Sequence, residues 1–278
     1  MHQSPLANGA NSGSVAVVSG GGTGIGRATA FELARTGAKV VVCGRRPELL
    51  EETVSEVARR GGEAVAVTAD VRRHEDVAEV VRSAMSVFGA VDIVVNNAGG
   101  QFAAPAESIS AKGWRAVHSL SVEAAWDLTR EAATCSMIPR RSGVVVFIGF
   151  SPRRGIPEMV HASAARAAVE NLAGGLACDW SRYGIRVVCV CPGNIATEAL
   201  AGYGADEVAS WQRAVPLGRL GTAEEVATVI AFLTSPGASY VTGSTVLVDG
   251  GVDAWGQGHP PPPVDYGGVE STRRASSP

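Results

Sequence analysis

The chain has 278 residues, 46% hydrophobic, 18% charged and 5% aromatic, a globular composition that excludes disorder, collagen and coiled coil. Lys and Arg number 24 against 27 Asp and Glu, a net charge of -3, so no basic footprint for nucleic acid or an anionic membrane stands out. The partners expected are small molecules or other copies of the chain. Five cysteines (Cys43, Cys135, Cys178, Cys189, Cys191) lie in apolar runs without a Cys-x-x-Cys pair. They read as reduced packing residues, and no metal site is expected. No apolar run reaches the ~18–20 residues of a membrane span, and residues 1–12 lack the apolar centre of a secretion signal. The expectation is a cytoplasmic protein with a flexible N-terminus over 1–12.

Short runs rich in Val and Ile recur at 15–19, 39–43, 64–69, 91–96, 144–148, 186–191 and 245–249, each the length of a strand. Between them, apolar residues fall at helical spacing, as in Leu50, Val54 and Val57, then Val77, Val80, Val81, Ala84 and Phe88. This predicts helices with one buried stripe. Gly61-Gly62 and Gly89 stand where such helices stop, and Thr222 with Glu225 forms a capping box that opens another. Strands that are apolar throughout need cover on both faces, which alternating helices supply in a parallel sheet. The fold class is therefore α/β, with seven parallel strands flanked by helices in one domain over 13–255. After Trp255 a Pro260–Pro263 run gives way to Gly, Ser and Arg without period, and 256–278 reads as a tail.

The first strand runs into Ser19-Gly20-Gly21-Gly22-Thr23-Gly24-Ile25-Gly26, then a helical stretch and a second strand. Glycine allows the tight turn and brings backbone N–H groups up to a pyrophosphate, whose charge the helix N-terminus favours. A dinucleotide is the expected ligand. Where a carboxylate would receive the ribose hydroxyls of NAD, the second strand ends in Cys43-Gly44-Arg45-Arg46. Two guanidinium groups suit a 2′-phosphate, which points to NADP(H), with Arg45 as main contact and Arg46 or Arg27 in support.

These residues resemble the short-chain dehydrogenase/reductase family over about 13–255. Ser19–Gly26 is similar to the family's glycine signature, with Ser19 in the usual Thr position, and Asp70-Val71 to its adenine-contacting pair. Asn96-Asn97-Ala98-Gly99 resembles the NNAG element, Pro192-Gly193-Asn194-Ile195-Ala196-Thr197 the nicotinamide-side loop, and Val248-Asp249-Gly250-Gly251 the C-terminal signature. Within the family, GGGTGIG, NNAGGQF, SPGASYVTG and HASAARAAVENL look most like the trans-2-enoyl-CoA and 2,4-dienoyl-CoA reductase branch. The resemblance implies a doubly wound Rossmann fold, a nicotinamide cofactor, hydride transfer at the carboxyl ends of the strands, and a homotetramer or homodimer. It also implies cofactor contacts at Gly20, Thr23, Gly24, Ile25, Gly26, Asp70, Val71, Asn97, Ala98, Gly99, Arg166, Pro192, Gly193, Ile195 and Thr197.

The family's usual catalytic set is Asn, Ser, Tyr and Lys, and all four positions depart here. Counting from Trp114 puts Ser121 at the Asn position. The register of Ser163-Ala164-Ala165-Arg166 gives Ala162 for Tyr and Arg166 for Lys, and Gly149 stands for Ser. Alanine has nothing to donate, and Arg stays cationic, so Arg166 is left with electrostatic work: gripping ribose and stabilising an enolate or oxyanion. Replacement proton donors are His161, beside the vacant Tyr position, and Ser151, with Ser121 and Ser163 as further hydrogen-bonding groups. Arg153 and Arg154 stand beside the expected substrate mouth and could take a phosphate or carboxylate. By position in the family, 198–216 forms a lid with Leu200, Tyr203 and Trp211 as apolar lining. Cys189 and Cys191 point to one face of a strand as core, and Asp92 and Asp127 read as polar faces.

The functional expectation is an NADPH-dependent reductase of an enoyl thioester-like double bond or a carbonyl. The alternatives are an NADP-binding pseudoenzyme serving as a partner subunit, or a non-redox lyase or cyclase in the same pocket.

Overall fold

The computed structural model describes residues 4–153 and 155–255. The expected 256–278 tail and Arg154 lie outside the described residues.

In chain order the main elements are β1 (Val15–Ser19), α1 (Gly24–Arg35), β2 (Lys39–Gly44), α2 (Pro47–Arg59), β3 (Ala64–Thr68), α3 (His74–Phe88) and β4 (Ile93–Asn96). Then come α4 (Ala111–His118), a π-helical turn at Ser119–Glu123, α5 (Ala124–Ala132), a second π-helical turn at Ala133–Met137 and the short α6 (Ile138–Arg140). The chain continues through β5 (Gly143–Ile148), α7 (Val160–Trp180), β6 (Ile185–Pro192), β7 (Ile195–Ala196), α8 (Ala205–Arg213), β8 (Gly221–Thr222), α9 (Ala223–Thr234), β9 (Thr245–Val248) and α10 (Val252–Trp255). Seven strands form one sheet in the order β3-β2-β1-β4-β5-β6-β9, every neighbouring pair parallel. The small β7–β8 pair is an addition that the patterning does not mark.

Alternate residues of each central strand face opposite sides, and both sides are apolar. Val18, Val42, Val95 and Val146 face the side covered by α1, α2 and α9, where Leu33, Leu50, Val226 and Ile230 meet them. Val17, Val41, Val94, Val145 and Phe147 face the side covered by α3, α5 and α7, against Val80, Leu128, Val169 and Leu176. Full burial of each such side chain contributes about 1.5–3 kcal/mol. The helix ends follow the expected chemistry. Gly89 caps α3 in the left-handed region at φ 82°, and Thr222 and Glu225 exchange both bonds of the capping box on α9.

Three expectations are corrected. Residues 4–12, expected to be a flexible lead-in, are seated. Asn11 is buried, its Nδ2 donating to Thr36 Oγ1 at 2.9 Å and the Ala231 carbonyl at 3.0 Å. Ser4 donates to Glu32, and Arg35 to Asn8 and the Leu6 carbonyl. Polar side chains with partners on α1 and α9 fix what a composition argument reads as a loose end. Second, the cysteines are not all packing residues: Cys43, Cys189 and Cys191 are buried, whereas Cys135 and Cys178 are exposed on outward helical positions. Third, the row Ala164, Ala165, Ala167 and Ala168 reads as a flat second face of α7 suited to a partner helix, yet Ala165 is fully buried beside Ala162 and Val117. Asp92, read as a polar face, accepts from the Val15 N–H at 2.9 Å and pairs with Arg140 at 2.8 Å, tying β1 to the end of α6.

Candidate active site

The order 3-2-1-4-5-6 reverses direction between β1 and β4, and open parallel sheets bind ligands in the crevice outside the strand ends at that switch. One hydroxyl holds the two lips together. Ser19 Oγ accepts from the Asn97 and Ala98 N–H groups, both at 3.0 Å, and donates to the Val95 carbonyl at 3.3 Å. Asn97 Nδ2 returns the contact to the Ser19 carbonyl at 3.0 Å.

The glycines of the turn are there for close approach. Gly20 and Gly24 have φ of 66° and 51°. A Cβ on Gly21 would lie 2.7 Å from Val42, and one on Gly26 would run into the Gly20 carbonyl. The start of α1 therefore lies directly on the turn, with Ile25 against the sheet core. Thr23 makes no side-chain cap to α1. The Gly24 N–H instead donates to Glu198 Oε2 at 3.1 Å, and Arg27 pairs with the same carboxylate. This helix end thus already accepts an anion, as expected of a diphosphate cradle.

Arg45 and Arg46 are exposed at the end of β2. Arg45 is near enough to help hold Asp70 in its charged form, but the main cause is the hydrogen bond from Arg72 Nε at 2.9 Å, which holds the Asp70 carboxyl down at about 2. Val71 is buried in the core beside it. The other end of the crevice is built from Pro192–Thr197. Gly193 donates to the Val248 carbonyl at 3.0 Å, Ile195 is buried, and Thr197 packs its methyl 3.4 Å from where a Gly24 Cβ would stand. A dinucleotide fits the residues present: a glycine cradle, an anion-accepting helix end and two exposed guanidiniums at the end of β2.

Arg166 lies where the catalytic Lys is expected, on the inner side of α7. Its Nη1 donates to the Ile148 carbonyl at 2.5 Å, and its Nη2 lies so close over Gly99 that a Cβ there would collide with it. Burial pulls its pKa below the ordinary value, yet the group starts so high that it remains cationic at neutral pH. Next to it Gly149 carries no side chain, and the space is taken: a Cβ built there would strike Cys191 Sγ and lie 3.1 Å from Cys189 Sγ. The two thiols are 3.9 Å apart, and Cys191's thiol is pushed far up by its neighbour Cys189 and by burial. It occupies, as a neutral group, the space that a side chain at 149 would use.

The replacement donors differ in what engages them. Ser151 is buried, its hydroxyl donating to Asp249 at 2.5 Å and its N–H to the Pro192 carbonyl at 2.8 Å. Ser163 Oγ accepts from the Ile156 N–H at 3.3 Å. Ser121 is buried within the π-helical turn after α4, a distortion often found at functional sites. His161 is fully buried with neither ring nitrogen hydrogen-bonded, 4.4 Å from the Phe102 ring, and the buried Nε2 of His118 is likewise unpartnered. Burial lowers the His161 pKa, and His118 lowers it further. Arg153 is already paired, through its N–H to Asp253 Oδ1 at 2.8 Å and its Nη2 to Asp253 Oδ2 at 3.2 Å, with Glu170 at 3.8 Å. In the lid segment, Tyr203 and Trp211 pack edge to face at 4.7 Å. Reasoning from sequence missed Glu198, Cys191, Phe102 and His118. Only Glu198 had a local signal, as the acid directly after Thr197.

Comparison with known proteins points to one family. The profile of the family described as Enoyl-(Acyl carrier protein) reductase matches residues 20–253. A Bacillus subtilis (strain 168) protein named "Probable 2,4-dienoyl-CoA reductase" is 35% identical over 244 residues, covering 84% of this chain and 94% of its own. The gluconate 5-dehydrogenase of Gluconobacter oxydans (strain 621H) is 36% identical, covering 87% and 95%. Among solved structures, one described as a "putative NAD(P) dependent gluconate 5-dehydrogenase from Beutenbergia cavernae", with NADP bound at low occupancy, superposes with a TM-score of 0.83 at 37% identity, covering 89% of this chain and 100% of that one. An actinorhodin polyketide ketoreductase variant with NADPH gives 0.84 at 30% identity, covering 86% and 97%. The chain belongs to the short-chain dehydrogenase/reductase family and is an oxidoreductase of the NAD(P)-dependent type. Among the described residues no helix is long and apolar enough to cross a membrane, and no group of three or more potential metal ligands occurs.

Proposed function

We propose that this protein is an NADP(H)-dependent reductase of an activated double bond of the enoyl thioester kind, or of a carbonyl, working without the family's hydroxyl acids. The observation that carries the reading is Arg166, a permanent cation held between the Ile148 carbonyl and the Gly99 backbone at the mouth of the dinucleotide crevice. The cofactor, when bound, supplies hydride. Arg45, supported by Arg46, recognises the 2′-phosphate. When hydride reaches the carbon of an enoyl thioester, charge arrives on the thioester oxygen, and Arg166 stabilises it without giving up a proton. His161 relays the proton because its nitrogens are unengaged, whereas the Ser151 hydroxyl already donates to Asp249; since burial keeps the ring neutral, it gives up its N–H proton as its other nitrogen takes one from water. Ser121 orients the substrate oxygen. The chain assembles as a homotetramer or homodimer through the small-residue outer face of α7, where Ala167 and Gly175 are exposed.

A separate observation favours the second reading, a dinucleotide-binding protein without hydride chemistry or with a lyase or cyclase activity: Gly149 and Ala162 leave no hydroxyl at two of the family's positions. Calorimetric titration with NADPH and NADH, with Arg45→Ala as control, tests the first step. NADPH selectivity is expected and should fall about tenfold in the control, the scale of one charge-assisted contact. Deuteride transfer from labelled NADPH to an enoyl thioester, lost in Arg166→Gln, tests the second. Binding without transfer would favour the pseudoenzyme, and product without cofactor consumption the non-redox enzyme.

A further inference from the structure

The crevice already holds an anion of the chain's own. Glu198 lies 174 residues from Gly24 in sequence, yet its Oε2 takes the Gly24 N–H at 3.1 Å and its Oε1 pairs with Arg27. It begins the 3₁₀ turn Glu198–Gly202 that leads into α8. Farther along, the chain is tied by Asn194 Nδ2 to the Trp211 carbonyl at 3.3 Å and by Val215, which is buried against Gly250. No side chain within the turn caps α1, so Glu198 is the group that neutralises this helix end.

The diphosphate of a dinucleotide needs the same donors: free N–H groups at the start of α1, with a guanidinium alongside. Two anions cannot share that point, because like charges at contact repel and the donors can serve only one of them. We infer that Glu198 is an intramolecular competitor of the cofactor's diphosphate, a residue that sets cofactor affinity and whose displacement detaches the Glu198–Gly202 turn from the start of α1. The inference rests on the NADP(H) reading above and deepens it. Arg27 changes partner in the exchange, from the Glu198 carboxylate to the cofactor.

The test is calorimetric titration of the full chain and its Glu198→Gln variant with NADPH and, separately, with inorganic pyrophosphate. Glu198 is 58% exposed, so the variant should fold. Glu198→Ala is a second form of the same test. The Kd for both probes is expected to fall about three- to tenfold, the scale of one exposed ion pair plus a helix-end interaction. In the wild type, salt weakens the internal pair as well as the cofactor contacts, so NADPH binding by the variant should depend more steeply on ionic strength. In an Arg27→Gln background the gain from Glu198→Gln should shrink. If the wild type binds NADPH selectively and Glu198→Gln binds neither probe more tightly, the competition is refuted while the cofactor reading stands. If NADPH binds to neither protein, the cofactor reading fails and the competition with a cofactor falls with it, even where pyrophosphate binds more tightly to the variant. Failure of both probes with both proteins overturns both.

Discussion

His161 is the residue whose surroundings ask for an explanation. A histidine with no exposure and two unpartnered ring nitrogens forgoes hydrogen bonds that it would make to water, a cost of about 1–3 kcal/mol per group. His161→Phe, which keeps a ring against Phe102 and removes both nitrogens, should therefore raise stability in urea unfolding by about 1–2 kcal/mol. The same substitution should lower turnover with NADPH if His161 supplies the proton, a familiar exchange of stability for function. Unchanged turnover in a folded His161→Phe protein would remove the residue from the reaction. The pH dependence has a definite sign. Burial, helped by the facing His118, favours neutral His161 in the fold, while the unfolded chain protonates near 6.5. Stability from this group is thus complete above 6.5 and falls as pH drops below it toward the lower folded value. His161→Phe should flatten that part of the pH–stability curve.

Between elements, the fit of β5 and β6 explains why residue 149 carries no side chain. The register sets Phe147 opposite Cys189 and Ile148 opposite Val190, and Gly149 continues that line by donating to the Val190 carbonyl at 2.8 Å. Cys191 then projects into the volume a side chain at 149 would use. Gly149→Ser should cost about 1–3 kcal/mol of stability by overpacking, measured by thermal or urea unfolding. In a Cys191→Ala background the same substitution should cost much less, because the thiol it strikes is gone. Equal costs in both backgrounds would show that the slot is not shared. The sequence marks Cys189 and Cys191 as same-face core residues from their spacing. That one of them stands under residue 149 depends on strand register, which spacing cannot supply.

For the whole molecule, the parallel sheet and its switch between β1 and β4 decide where chemistry can happen. They bring Ser19, Asn97, Gly99, Arg166 and Thr197, spread over nearly the whole domain, to one crevice. The seated lead-in adds to this frame, since Asn11 joins the ends of α1 and α9. The outer face of α7, lined by small residues, is left open in a single chain. Light scattering is expected to give the mass of a dimer or tetramer, and a purely monomeric mass would refute the assembly proposed through that face.

The amino-acid sequence by itself determined the strands, the helix stops, the glycine turn and the order of elements, because these follow from local periodicity, backbone freedom and capping chemistry. It also determined the four-residue spacing of Ala162 and Arg166 on one helix, since helical register is a matter of counting. Tertiary structure alone decided which groups are engaged: Ser151 by Asp249, Arg153 by Asp253, the slot at Gly149 by Cys191, and the start of α1 by Glu198. Each of those depends on a partner dozens to hundreds of residues away, brought into reach by sheet order and loop path. Hydrogen bonds and excluded volume act over a few ångströms in space and leave no trace along the chain.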